Sequence, residues 1–112
     1  MVAISVLIAG AALIAVVVIF CSTGRIPRNS IAGLRLPSLF ASDRAWIVGH
    51  HAAVAPTVIA AILVALVGGV GVVVPEIETV AVLVMLAVFL AGLIVGSVRA
   101  NRAARSTEPN AN

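Results

Sequence analysis

The sequence predicts an all-α integral membrane protein, with three transmembrane helices and an interfacial loop or short helix between helices 1 and 2. Of its 112 residues, 62% are hydrophobic and only 10% are charged, whereas a soluble domain carries about 25% charged residues. The apolar residues also form three long runs. These observations exclude a soluble globular domain and a disordered chain. They predict one membrane domain over residues 1–112 and no enzyme, because too few polar side chains remain to build an active site.

Each of the three apolar runs is long enough to cross a membrane. They predict spans over residues 2–22, 52–74 and 79–98. A helix rises about 1.5 Å per residue, so roughly 20 residues cross a hydrocarbon core of about 30 Å. No basic residue precedes Arg25, and the first run is longer than the apolar core of a signal peptide. We therefore expect this run to be retained as a helix.

The positions of the basic residues, all seven of them arginines, predict the orientation. Four lie in loop 23–51 and three in the tail, residues 99–112. The link between the second and third spans holds Glu76 and Glu78 and no basic residue. Arginines near spans mark the cytoplasmic side. We therefore expect the loop and tail in the cytoplasm and the N-terminus outside, in a bacterial plasma (inner) membrane. The net charge of +3 then reflects orientation, and no nucleic acid is expected as a partner.

Loop 23–51 carries both histidines and the only tryptophan. Pro37 disfavours helix in the residue before it, so the first half of the loop is expected to be irregular or to lie along the headgroups. Ser42 followed by Asp43 predicts a helix start, because the hydroxyl can cap free N–H groups and the acid favours the positive end of the helix. We expect this helix to run on into the second span, with Pro56 kinking it or marking a break.

Several residues of the loop, taken in register, resemble the central motif of the SdpI family of small bacterial membrane proteins. The matching positions are Asn29, Gly33, Leu34, Arg35, Pro37, Leu39, Phe40, Ser42, Trp46 and His50. Leucines stand at two places, Leu36 and Leu39, where the family has threonine. Founding members of the family confer immunity to a secreted toxic peptide. The resemblance implies protection against a membrane-active peptide or toxin, by binding it through the Arg35/Trp46 loop or by shielding its target.

Arg35 is the leading candidate for a binding residue, because a guanidinium group pairs bidentately with a carboxylate or a phosphate. Its candidate partners are Asp43, a lipid phosphate and a helix end. The alternative is that it only extends toward the headgroups. Asn29 is expected to bond loop backbone as a turn residue, and Gly33 is expected to serve the backbone geometry of the loop.

Trp46 and His50 are four residues apart and should share a helix face, with Trp46 at the level of an interfacial aromatic belt. His50 is expected to bond within the loop, to Asp43 or to a carbonyl group. A zinc ion needs three or four ligands. Beside His50 and His51, only Cys21 and Asp43 lie near enough in the sequence to add ligands, and their spacing matches no known motif. No metal site and no cofactor are expected.

Gly92 and Gly96 form a small-xxx-small pair in the third span, which allows helices to approach closely. We expect this pair to pack against the protein's own helices, with a homo-oligomer as the alternative. No span has an ionisable residue near its centre, which disfavours an ion-coupled transporter. Two functions remain: immunity to a peptide, and an accessory subunit of a larger cell-envelope or transport membrane complex. The lipid bilayer is a partner in both.

Overall fold

The computed structural model describes residues 1–107, and these residues form helices and connecting turns with no strand among them. Three α-helices are long and apolar enough to cross a membrane: α1 (Val2–Ser22), α2 (Asp43–Val73) and α3 (Glu78–Ser106). Two single turns of 3-10 helix precede α2 and α3, at Pro37–Phe40 and Pro75–Ile77. The predicted all-α class with three membrane-crossing helices is confirmed.

The middle helix of the sequence is also the middle helix in space. α2 packs along both α1 and α3, whereas α1 and α3 make few contacts with each other. At one end of the bundle the amino group of Met1 pairs with the carboxylate of Glu78. At the other end the hydroxyl of Ser38 bonds Asn101 on α3 at 2.6 Å. The connection 23–42 and the last turns of α3 therefore share one end, which holds all seven arginines and is called the arginine end below.

The helix start predicted at Ser42 is present. Ser42 Oγ accepts a hydrogen bond from the amide of Ala45 at 3.0 Å, and Asp43 lies in the first turn. From there α2 continues through Pro56 without a break. The helix therefore includes the second apolar run, up to Val73, and also the nine residues before it. The irregular connection is correspondingly shorter than the predicted loop, because residues 43–51, the last third of that loop, already belong to α2.

The third helix is also longer than its apolar run. α3 continues to Ser106, about two turns beyond the predicted end of the span at residue 98. The first half of the predicted tail is therefore helical, and residues 108–112 lie outside the described part of the chain. Met85 and Val64 are fully buried toward one end of the bundle, and Leu39 and Trp46 toward the arginine end.

The small residues of α3 pack against the protein's own helix α2. A Cβ atom added at Gly92 would lie 2.4 Å from the Cβ atom of Ala60, so the helices approach too closely here for two alanines. A Cβ atom at Gly96 would meet Thr57 at an ordinary 3.5 Å. Gly92 therefore fixes the distance between α2 and α3, and Gly96 tolerates a larger side chain more easily.

Candidate functional site

Trp46 anchors the connection 23–42 to α2. Its side chain is only 1% exposed, and its indole Nε1 donates a hydrogen bond to the carbonyl oxygen of Ile26 at 2.9 Å. The ring centre lies 5.3 Å from that of Phe40 and 4.3 Å from that of His50, with tilted planes. Tilted aromatic pairs at such distances add to the stabilisation from burial. Trp46 is thus the centre of a small core and does not face the lipid, as a residue of an aromatic belt would.

His50 lies one helical turn after Trp46 and also holds the connection 23–42 against α2. Its ring is fully buried, and its Nε2 accepts a hydrogen bond from the backbone amide of Leu34 at 2.9 Å. Because an amide can only donate, Nε2 must be unprotonated and the proton of the neutral ring sits on Nδ1. Nδ1 then donates to the carbonyl oxygen of Trp46 at 2.8 Å. Of the two partners expected for His50, the structure shows a carbonyl group and not Asp43.

Gly33 lets the loop backbone rest directly on these two rings. Its φ is +109°, a conformation that residues with a Cβ atom rarely adopt. An added Cβ atom would lie 2.6 Å from Cη2 of Trp46 and 3.0 Å from Nε2 of His50. Both the backbone angle and the space therefore require glycine at this position.

Asn29 closes the turn that precedes Gly33. Its Oδ1 accepts hydrogen bonds from the amides of Ile31 and Ala32 at 2.8 and 2.7 Å. Its Nδ2 donates to the carbonyl oxygen of Pro27 at 2.6 Å. These bonds match the expected role of a turn residue, in which the side chain satisfies nearby backbone groups.

Arg35 lies on the exposed side of the turn. Its guanidinium donates to the carbonyl oxygens of Asn29 and Ala32 at 3.1 and 3.4 Å, and it lies 4.8 Å from the centre of the Phe40 ring. A guanidinium carries five N–H donors, so these two bonds leave donors for a ligand. Of the candidate partners from the sequence, Arg35 does not contact Asp43.

The partner of Asp43 is a residue that sequence reasoning missed. Arg28 Nε lies 3.4 Å from a carboxylate oxygen of Asp43, and the guanidinium of Arg28 also donates to the carbonyl oxygen of Phe40 at 2.7 Å. Neither side chain is buried, so this ion pair contributes little stability. Arg28 had no distinguishing signal in the sequence, where it was one of four loop arginines.

The turn Pro37–Phe40 fixes the connection to α2 and α3 together. Leu39 is fully buried, and a Cβ atom at Gly49 would lie only 2.8 Å from Leu39 Cγ and 3.2 Å from the carbonyl oxygen of Ala100. The Ser38–Asn101 hydrogen bond adds a polar contact beside it. Sequence reasoning missed Ser38, Gly49 and Asn101, because these contacts join positions that are far apart in the chain.

The loop borders an open groove of about 430 Å³ along α1. Ile31, on the rim, is 90% exposed. The groove is lined by Leu13, Ile14, Val17, Val18, Leu93 and the loop residues Ile31 to Arg35. Its surface is mostly apolar, and Arg35 is the only charged residue that lines it. Such a groove suits an apolar segment that carries one hydrogen-bond acceptor or negative charge.

Within residues 1–107, no group of three or more His, Cys, Asp and Glu residues lies close enough to hold a metal ion. Cys21 is a buried free thiol, and His51 is exposed. The site therefore consists of a hydrogen-bonded loop on two buried rings, with an exposed arginine beside an apolar groove.

Three membrane-crossing helices, closed at the arginine end by this loop, define a small multi-pass membrane protein. The chain matches the SdpI/YfhL protein family over residues 25–98, about two thirds of its length, and it belongs to that family. The match includes the whole loop motif, so the resemblance stated from the sequence is confirmed. No curated protein and no solved structure gives a significant match to the chain.

Proposed function

We propose that this protein protects a bacterial membrane against a membrane-active peptide or toxin, which it binds at the arginine end through the Arg35 loop. Membership of the SdpI/YfhL family supports this proposal, because founding members of that family confer peptide immunity. The observation that carries it is the exposure of Arg35 and Ile31 beside an apolar groove. A membrane-active peptide is apolar over much of its surface and ends in a carboxylate, so it complements both features.

The proposal gives the motif residues two different tasks. Trp46 and His50 are buried, and the nitrogen atoms of their rings already form hydrogen bonds within the protein. Their task is therefore to hold the loop in shape. Arg35 and Ile31 face outward and are the residues that would touch the peptide. From the sequence, Trp46 was expected to take part in binding. In this proposal the exposed residues of the loop make that contact instead.

The experiment is a challenge of a gene-deletion strain with spent medium from a stationary culture of its own species. We expect faster membrane depolarisation and lower survival in the deletion strain, restored by the wild-type gene. Arg35→Gln should restore protection poorly at equal protein level in the membrane. Arg105→Gln, which removes the same charge from an exposed residue on α3, should restore it fully. Equal sensitivity of the deletion and parent strains would contradict the proposal.

The alternative proposal is an accessory subunit of a larger envelope or transport complex. It draws on the small size of the chain and on the extent of its apolar surface, and a surrounding bilayer explains that surface equally well. Purification in mild detergent separates the two functions. A large partner at fixed stoichiometry would favour the subunit, whereas a protein that elutes alone would favour immunity.

We further propose that the arginine end faces the cytoplasm of a bacterial plasma membrane, with the N-terminus outside. Support comes from the gathering of all seven arginines at one end and from Glu76 and Glu78 at the other. Basic residues beside spans are retained on the cytoplasmic side during insertion.

A further inference from the structure

A second groove runs between α2 and α3, away from the loop site, and is called the α2–α3 groove. Its volume is about 360 Å³. The small residues Ala55, Pro56, Ala91 and Gly92 line it, and Arg99 stands at the arginine end. An adjoining cavity shares Ala55 and Arg99 with it and adds His51. The groove and the adjoining cavity are thus neighbours on an apolar surface, with the side chains of Arg99 and His51 at the arginine end.

The length of the α2–α3 groove matches one leaflet of a bilayer. Val88, at its far end, and Arg99 are both on α3, and eleven helical residues correspond to about 16 Å. This is about half of a hydrocarbon core of roughly 30 Å. His51 and Arg99 directly flank the predicted spans, so they lie at the level of the phosphate groups when the rest of the groove lies among acyl chains.

The positive charge of Arg99 at the end of the groove favours an anionic ligand. Arg99 is exposed, and neither ion pair found among residues 1–107 involves it. His51 is exposed beside the same cavity. The only carboxylate at this end within residues 1–107 is that of Asp43, which pairs with Arg28.

We propose that the α2–α3 groove binds one anionic phospholipid of the leaflet at the arginine end. One acyl chain lies between Ala55 and Ala91, and the phosphate accepts hydrogen bonds from Arg99 and His51. A second copy of the chain is the less suitable occupant. In a two-fold dimer both subunits present the same surface to each other, and two copies of Arg99 would then meet without a counter-charge.

The test is native mass spectrometry of the full protein in mild detergent with added phosphatidylglycerol or phosphatidylcholine of the same acyl chains. We expect one phosphatidylglycerol per chain, bound at least about fivefold more tightly than phosphatidylcholine. Arg99→Gln should weaken phosphatidylglycerol binding about fivefold, as expected for one arginine at an anionic surface. Arg102→Gln removes the same charge outside the groove and should change binding less than twofold.

A second pair of variants tests the groove itself without altering charge. Ala55 and Ala87 are both exposed, but only Ala55 lines the groove. Ala55→Leu should fill the path of the acyl chain and weaken binding about as much as Arg99→Gln, whereas Ala87→Leu should leave it unchanged.

Three results would overturn the proposal. One is equal binding of the two lipids, and another is an equal effect of Arg99→Gln and Arg102→Gln, which would indicate general surface charge. The third is a wild-type dimer that Ala55→Leu separates into monomers with no change in bound lipid, which would assign the groove to a second copy.

Discussion

At the residue scale, the loop requires glycine at position 33, because any other amino acid would place a Cβ atom there. Gly33 lies against Trp46 and His50 so closely that the loop amide reaches the imidazole ring. The spacing of Trp46 and His50 predicted that they share a face of α2, and Asn29 was predicted as a turn residue. Their partners, the carbonyl of Ile26 and the amide of Leu34, were not predictable, because no periodicity sets the path of an irregular segment.

We expect Gly33→Ala to lower the free energy of unfolding by about 2–4 kcal/mol. The added methyl group overlaps the indole of Trp46, and the positive φ strains any residue with a Cβ atom. Unfolding in mixed micelles of rising dodecyl sulfate content would measure the loss. The fluorescence of Trp46 is a specific probe, because this is the only tryptophan.

The matched control for this substitution is Gly69→Ala. A Cβ atom at Gly69 on α2 meets nothing within 4 Å, so we expect no loss and a gain of up to about 1 kcal/mol from helix propensity. Similar losses in both variants would show that Gly33 is not held against the two rings.

At the element scale, the sequence predicts the ends of α1 and α2 to within one residue but not the end of α3. Ser42 and Asp43 supply a chemical start signal, and α2 begins at Asp43. No comparable stop signal follows the third apolar run, where Ala and Arg residues favour continued helix, and α3 extends to Ser106. Apolarity defines the part of a helix that crosses lipid, whereas local propensity and capping define the helix itself.

The packing of α2 on α3 yields a prediction for the small-residue pair. Gly92→Ala should lower the free energy of unfolding by about 1–3 kcal/mol, because the new methyl group would overlap that of Ala60. Ala60→Gly in the same chain should recover most of the loss. Gly96→Ala, four residues away on the same helix, should have little effect, since its Cβ atom meets Thr57 at an ordinary distance. Dodecyl sulfate unfolding compares the four proteins.

The result for Gly96 decides between packing within the chain and packing between chains. If Gly96→Ala destabilises the protein as much as Gly92→Ala, and does so only at high protein concentration, the pair serves a homo-oligomer. The close approach of Gly92 to Ala60 on α2 already accounts for a glycine at this position within a single chain.

At the scale of the whole molecule, composition predicts the class and the position of the few charges predicts the arrangement. Three spans with arginines after the first and third required the loop and the end of α3 to share one side. The contacts of Ser38 with Asn101 and of Leu39 beside Ala100 confirm that they do. Those contacts were not predictable individually, because they depend on how far α3 continues beyond the apolar run.

The proposed orientation predicts the behaviour of reporters fused along the chain. A fluorescent protein that matures only in the cytoplasm should be bright when fused after Arg105, at the end of α3. A phosphatase that is active only outside the cytoplasm should be active when inserted at Glu76 between α2 and α3, and inactive after Arg105. The physical reason is the retention of seven arginines on the cytoplasmic side. Replacing Arg99, Arg102 and Arg105 by Gln should weaken this preference and give mixed activity, whereas phosphatase activity after Arg105 in the unaltered chain would reverse the assignment of both ends.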